Sequence, residues 1–177
     1  MPLVTRFLGV SSSYVASRAE CVEVPPIAIR PYAESDAVGT LAVFLAAVTE
    51  TAAADYSPEQ IRAWAGERDV PTWHTAMLAR NAFVATVDGE LAGFSDVSAD
   101  GWIDMMFVAP RFLRRGVATR LLAEAESQAP DAPELSADVS ITARPFFVRH
   151  GFVAIAEQHP VRAGVKLVNW RMVKRRG

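Results

Sequence analysis

The chain of 177 residues has a single cysteine, Cys21, two lysines, Lys166 and Lys174, and three histidines. One thiol excludes an internal disulfide and argues against a thiolate metal centre, which fits a reducing, cytoplasmic setting. His74, His150 and His159 are scattered, with no pair at the one-turn spacing of a zinc helix, so no metal is expected. An excess of charge is also lacking. Eighteen basic against 20 acidic residues give a formal charge of −2, so no global field draws the chain to nucleic acid or to an anionic membrane. Long apolar runs are scarce: Leu41 to Val48 falls far short of the ~20 residues that cross a bilayer. The N-terminus has no continuous apolar core before its serines, so neither a membrane span nor a secretory signal is expected.

What is present suits a globular protein. A hydrophobic content of 51% with 21% charged residues is enough to bury a core without disulfides or metal. Residues 1–25 show no periodic pattern and are set apart by Pro25-Pro26, so they read as an N-terminal extension to a single domain, 26–177. The extension is either a tail or an arm contacting a second subunit of a homodimer.

Periodicity gives an α+β pattern. Ile27 to Arg30 is extended. Ser35-Asp36 can cap a helix to about Thr49, with Val38, Leu41, Ala42, Leu45 and Val48 facing the core. Ser57-Pro58-Glu59-Gln60 joins a capping residue, a first-turn proline and a capping-box glutamine ahead of a short helix to Gly66. Its Trp64 either lines a pocket or packs. Asn81–Val87 and Leu91–Ser98 flank the hairpin signal Asp88-Gly89, and Trp102–Val108 follows Asp100-Gly101 as a third antiparallel strand. Glu134–Val139 reads as a strand, Thr142–His150 as a helix stopped by Gly151, and Phe152–Ala156 with Val165–Val173 as a closing strand pair.

Between the third strand and the next helix lies an arginine-rich turn, Pro110 to Gly116, feeding a helix with Val117, Ala118, Leu121, Leu122 and Ala125 on one face. A turn entering a helix leaves several N–H groups without intrahelical partners, and the macrodipole adds partial positive charge at that end. Phosphates suit such a place. Gly116 allows close backbone approach, and Arg111, Arg114 and Arg115 offer forked donors.

Val108-Ala109-Pro110, Leu113-Arg114-Arg115-Gly116-Val117-Ala118 and Leu121-Leu122 resemble the acetyl-CoA-binding motif of the GNAT superfamily of N-acetyltransferases, with Leu113 where the family has Gln or Arg. Ser140 to Phe152 resembles the family's later helix ending in Gly-Phe. Its Thr-Ala-Arg-Pro-Phe-Phe stretch is closest to the small bacterial YafP-like branch. The resemblance covers about Ile27 to Val173. It implies a three-layer fold with a central, mostly antiparallel mixed sheet and helices on both faces.

The resemblance also implies acetyl-CoA as cosubstrate and direct acetyl transfer to a primary amine of a small molecule or peptide. Backbone groups of Phe107 and Val108 would pair with the pantetheine arm, and the amides from Arg114 through Gly116, Val117, Ala118 and Thr119 would hold the diphosphate. Phe147 stands where many members have a Tyr that protonates the departing thiolate, and it cannot do so. Ser140, where an Asn is common, either assists through water or makes a helix-start hydrogen bond. Strand alternation groups Asp104 with Trp102, Met106 and Val108, where a partly desolvated carboxylate could take the amine's proton; the alternative is an exposed or hydrogen-bonded strand aspartate. Leu113 and Phe147 together leave open a non-catalytic acyl-CoA-binding protein of the same fold.

Overall fold

A hairpin through Asp88 and Gly89, both at positive φ (51° and 78°), organises the first half of the protein. The computed structural model describes residues 26–176. The expected extension over residues 1–25, Cys21 included, lies outside the described residues. Strand β1 (Ile27–Pro31) leads through a 3-10 turn into helix α1 (Ala37–Ala46), which continues as irregular helical turns to Ala54. Helices α2 (Pro58–Ala65) and α3 (Val70–Leu78) follow, then β2 (Ala82–Val87), β3 (Glu90–Asp96), β4 (Trp102–Ile103) and β5 (Met106–Val108). After the arginine turn come α4 (Val117–Gln128), β6 (Glu134–Ser140), α5 (Arg144–Arg149), β7 (Val153–Gln158), the small hairpin β8 (Val161–Arg162) and β9 (Val165–Lys166), and β10 (Asn169–Arg175).

The sheet is mixed and divided. One half has the order β1-β2-β3-β5, all antiparallel; the other has β4-β6-β10-β7, in which only β4 and β6 run parallel. The expected single strand Trp102–Val108 is broken at Asp104-Met105, because the Asp96 carboxylate accepts both of their N–H groups at 2.9 Å and takes them out of the ladder. Its two halves then belong to different halves of the sheet.

Helices cover both faces of the first half. A Cβ on Gly93 would meet Leu121 and Val117 of α4, whereas the neighbouring Phe94 packs on Trp73 of α3 and on Phe107, which meets Phe44 of α1. Successive residues of a strand point to opposite faces, so α4 lies on one side and α1 with α3 on the other. Val117, Leu121, Leu122 and Ala125 are buried as their spacing predicts.

The expected inward face of α1 needs correction. On α1, Val38 is 66% exposed and the buried positions are Ala37, Thr40, Leu41, Val43 and Phe44, with Val48 beyond. Thr40 is inside because its hydroxyl accepts the Trp73 indole N–H at 3.0 Å and donates to the carbonyl of Asp36 at 2.8 Å, so the buried polar groups satisfy each other. The helical run Glu34–Ala54 is 21 residues long and passes for a membrane span by length and composition alone. Leu41, Val43, Phe44 and Val48 are nevertheless core residues.

Candidate active site

The turn before α4 begins with a 3-10 turn at Pro110–Phe112 and then takes Arg114 to φ 58° and Gly116 to φ 87°. Gly116 is needed for that conformation, since a Cβ there would have room, 3.6 Å from Ile27, but not a relaxed backbone. No side chain caps α4, so the amides of Val117, Ala118 and Thr119 have neither an intrahelical acceptor nor a capping oxygen. The turn is open to solvent from Leu113 to Gly116. Arg111 and Arg115 place their guanidinium groups 4.9 and 5.1 Å from the ring of buried Phe112, and Arg111 also reaches Glu90 at 3.1 Å. Arg114 makes no ion pair among the described residues. Three arginines thus flank uncapped amides, a local concentration of positive charge in a chain whose overall charge is slightly negative.

A gap in the sheet opens beside this turn. Strands β4 and β6 share two rungs, Trp102↔Ser136 and Ile103↔Ala137. Beyond Ile103, β5 pairs with β3, and the rest of β6 pairs with β10, so the facing backbone edges diverge. The two ends of the β3–β5 ladder fix which groups face the gap: Asp96 donates to the carbonyl of Met105, and Ala109 donates to the carbonyl of Ala92. Alternation between these bonds turns the N–H and C=O of Phe107 towards Phe94, and those of Met106 and Val108 into the gap. Phe107 therefore cannot offer its backbone to a guest, contrary to the expectation. Val108 can, and so can Met106, which sequence reading did not single out. The break at Asp104-Met105 shifts the alternation, so the Phe107 ring faces α1 and packs on Phe44 with ring centres 5.0 Å apart.

Asp104 is less buried than alternation suggested. Its carboxylate is 41% exposed and ion-paired to Arg80. The desolvated acid is Asp96, 4% exposed, which accepts the two amides through Oδ1 and Arg80 Nη1 at 3.2 Å through Oδ2. Burial pushes the Asp96 carboxyl up from the usual range, against the downward pull of the amides and of Arg80. The signal for it was an aspartate inside an otherwise apolar strand, a placement that requires partners.

Ser140 closes β6, and its Oγ accepts the N–H of Ala143 at 3.2 Å, the helix-start bond of the simpler reading. Phe147, at the position of the family's tyrosine, is 4% exposed and held edge-on between Phe146 and Phe152, so its ring packs in the core. The neighbouring Phe146 stacks on His150 at 4.2 Å. His150 Nδ1 lies 2.9 Å from the Phe146 carbonyl, which requires a proton on Nδ1 and makes Nε2 of a neutral ring the acceptor of the Thr119 hydroxyl at 3.3 Å. His150 thus ties α5 to the first turn of α4. At the far end of the gap the Tyr56 hydroxyl accepts the N–H of Ile141 at 2.9 Å and donates to the carbonyl of Val168 at 2.6 Å, joining the start of α2's approach to β6 and β10.

Chemically, these parts provide an oxyanion cradle, a slot with outward backbone groups, and a carboxylate on the α1 and α3 side. Residues 52–174 match the model of the acetyltransferase (GNAT) domain family. The chain is 38% identical over 146 residues, 82% of its length and 94% of the other's, to the uncharacterised N-acetyltransferase YafP of Escherichia coli K12. It is also similar to the crystal structure of a GCN5-related N-acetyltransferase (aminotransferase, class-II) from Rhodopseudomonas palustris, with TM-score 0.81, 34% identity, and 86% and 96% of the two chains covered. The PaiA N-acetyltransferase of Thermoplasma acidophilum, solved in complex with coenzyme A, shares the fold at TM-score 0.69 and 19% identity, with 85% and 99% covered.

Proposed function

The chain belongs to the GNAT acetyltransferase family, in its YafP-like branch, and on that premise we propose that it uses acetyl-CoA to acetylate a primary amine of a small molecule or peptide, residues 26–177 acting as one domain. The supporting observation is adjacency: the divided sheet opens directly onto the uncapped, arginine-flanked start of α4. A molecule with an extended arm and a diphosphate fits both parts at once.

In this reading the amides from Arg114 to Thr119 and the guanidinium groups of Arg114 and Arg115 hold the diphosphate. Val108 and Met106 bond the arm as an added strand, and an outward N–H of β5 polarises the thioester carbonyl. The acceptor arrives as an ammonium, with a reference pKa of about 10.4, and loses its proton to Asp104, directly or through water, before attack. Asp104 must loosen its contact with Arg80 to do so. The amine nitrogen forms a bond to the carbonyl carbon, the carbon–sulfur bond breaks and the thiolate leaves, while the nitrogen gives up its second proton to water or to that thiolate. A thiol with a pKa of about 8.5 needs no dedicated acid near neutral pH, so Phe147 is compatible with turnover.

The competing reading, a non-catalytic acyl-CoA binder, draws on the Asp104–Arg80 contact and on Phe147. Thiol release from acetyl-CoA across a panel of amines separates the two, since both readings require binding and only one consumes acetyl-CoA. Charge reversal of Arg114 together with Arg115 should weaken coenzyme A binding at least tenfold by calorimetry, and unchanged affinity would reject their phosphate role.

A further inference from the structure

On the α1 and α3 side of the sheet, opposite the turn that begins α4, the Arg68 guanidinium lies 4.6 Å from the ring centre of Phe44 and 5.9 Å from that of Trp73. Phe44 in turn packs on Phe107 of β5, so Arg68 is one ring away from the strand that borders the gap. Arg68 Nε donates to the carbonyl of Ala65 at 2.9 Å and Nη2 to that of Trp64 at 3.5 Å. These bonds and the stacking fix the plane of the fork and leave both Nη1 hydrogens and one on Nη2 unused. The next residue, Asp69, does not neutralise it, because Asp69 Oδ1 accepts the Thr72 N–H and caps α3.

A second cation approaches the same place. Gln60 Nε2 donates to the Lys166 carbonyl at 2.9 Å, which draws the β8–β9 hairpin against α2. Arg162 of that hairpin comes near enough to repel the charge on Arg68. Neither arginine makes an ion pair among the described residues, whereas Arg30, Arg80 and Arg171 do. Arg68 lies over the aromatic rings with Arg162 close enough to repel it and no carboxylate paired to either, a repulsion that an arriving anion would relieve. The coenzyme's phosphates belong to the opposite face, so this anion would come from the other substrate.

We propose that Arg68, seconded by Arg162, holds a carboxylate of the acetyl acceptor, making the acceptor a primary amine that carries a carboxylate, of the amino-acid kind. The inference rests on the acetyl-transfer reading above. A planar carboxylate matches the free edge of the fork, and the bonds to Ala65 and Trp64 hold the guanidinium in place over Phe44.

The test pairs each of a panel of α-amino acids with its α-carboxamide, measuring thiol release from acetyl-CoA for the unaltered protein and for Arg68→Gln and Arg162→Gln. The acids should be preferred over their amides by about 10- to 100-fold in kcat/KM, the scale of a charge-assisted pair. Arg68→Gln should bring that ratio towards one through KM, with kcat changed little, and Arg162→Gln should lower it less. Equal use of acid and amide by the unaltered protein, or a preference that survives Arg68→Gln, overturns the proposal. Should no amine in the panel release thiol, acetyl transfer is what has failed. The same pairs are then titrated calorimetrically into the coenzyme-A-loaded protein: acid-selective binding lost in Arg68→Gln upholds the carboxylate site, and absent or unselective binding removes it.

Discussion

Replacing Arg80 with glutamine removes the cation on which two carboxylates meet. Asp96 is almost wholly buried and its Oδ2 has Arg80 Nη1 at 3.2 Å; Asp104 shares the same nitrogen but is 41% exposed. Breaking a fully buried pair costs about 3–5 kcal/mol, and Arg80 at 30% exposure brings that down to about 2 kcal/mol for the Asp96 half. The exposed Asp104 half adds under about 1 kcal/mol. The variant should therefore lose about 2–3 kcal/mol at pH 8. Because burial holds the Asp96 carboxyl above its unfolded value, the native state carries the extra proton in the window between the two, and stability falls as pH rises through it. Losing Arg80, which opposes the effect of burial, extends this window upward. A proton on Oδ2 leaves Oδ1 accepting the amides of Asp104 and Met105, so the strand break survives protonation. The deficit of Arg80→Gln should accordingly be smaller at pH 5 than at pH 8 in urea denaturation followed by tryptophan fluorescence. An equal deficit at both, or a larger one at pH 5, refutes the assignment of Asp96 as the buried charge that Arg80 serves.

Asp36 should show the opposite pH dependence. Arg30 binds both of its oxygens, at 2.6 and 2.7 Å, and holds its carboxyl below the usual range, so its contribution is present above about pH 3.9 and lost as pH falls through the lower folded value. Asp36→Asn should cost about 1–2 kcal/mol at neutral pH, with the gap closing in acid, measured by denaturant titration. In Gly93→Ala the new methyl would stand 2.7 Å from the Phe107 carbonyl oxygen and 3.1 to 3.2 Å from Leu121 and Val117; about 2 kcal/mol should be lost and coenzyme A affinity reduced, because the first turn of α4 is pushed outward. Unaltered melting and binding would show that the helix can yield freely. Tyr56→Phe leaves the Ile141 N–H and the Val168 carbonyl without their partner and should destabilise by about 1–3 kcal/mol, which a thermal scan with calorimetric enthalpy can check.

Local signals were legible where one element determines its own shape. The Ser57–Gln60 capping box forms as written, with reciprocal bonds of 3.0 and 3.2 Å, and the period of α4 names its buried face. Helix α3 was not anticipated, because Val70-Pro71 reads as loop until Asp69 is seen capping Thr72. The phase of α1 was misjudged since nearly every residue from Ala37 to Ala46 is apolar, and a period cannot select a face when both are greasy. The break at Asp104-Met105 is imposed by a carboxylate eight residues away on another strand. From that one long-range contact come the exposure of Asp104 and the reversed direction of the Phe107 backbone. The arginine turn could be proposed from the sequence because its chemistry is contiguous; the approach of Arg162 to Arg68, ninety-odd residues away, leaves no local signal.

The two halves of the sheet are stitched by Trp102 and Ile103 against Ser136 and Ala137, while Tyr56 ties the loop before α2 to the ends of β6 and β10 within one half. Mechanically this is a book with a narrow spine: each cover is well knit within itself, and compliance is concentrated along the gutter between them. An extended guest laid in the gutter would bond to both covers and convert eight strands in two plates into one continuous plate. Amide protons of Met106 and Val108 would then exchange slowly with deuterated solvent, and the covers would unfold together rather than one before the other.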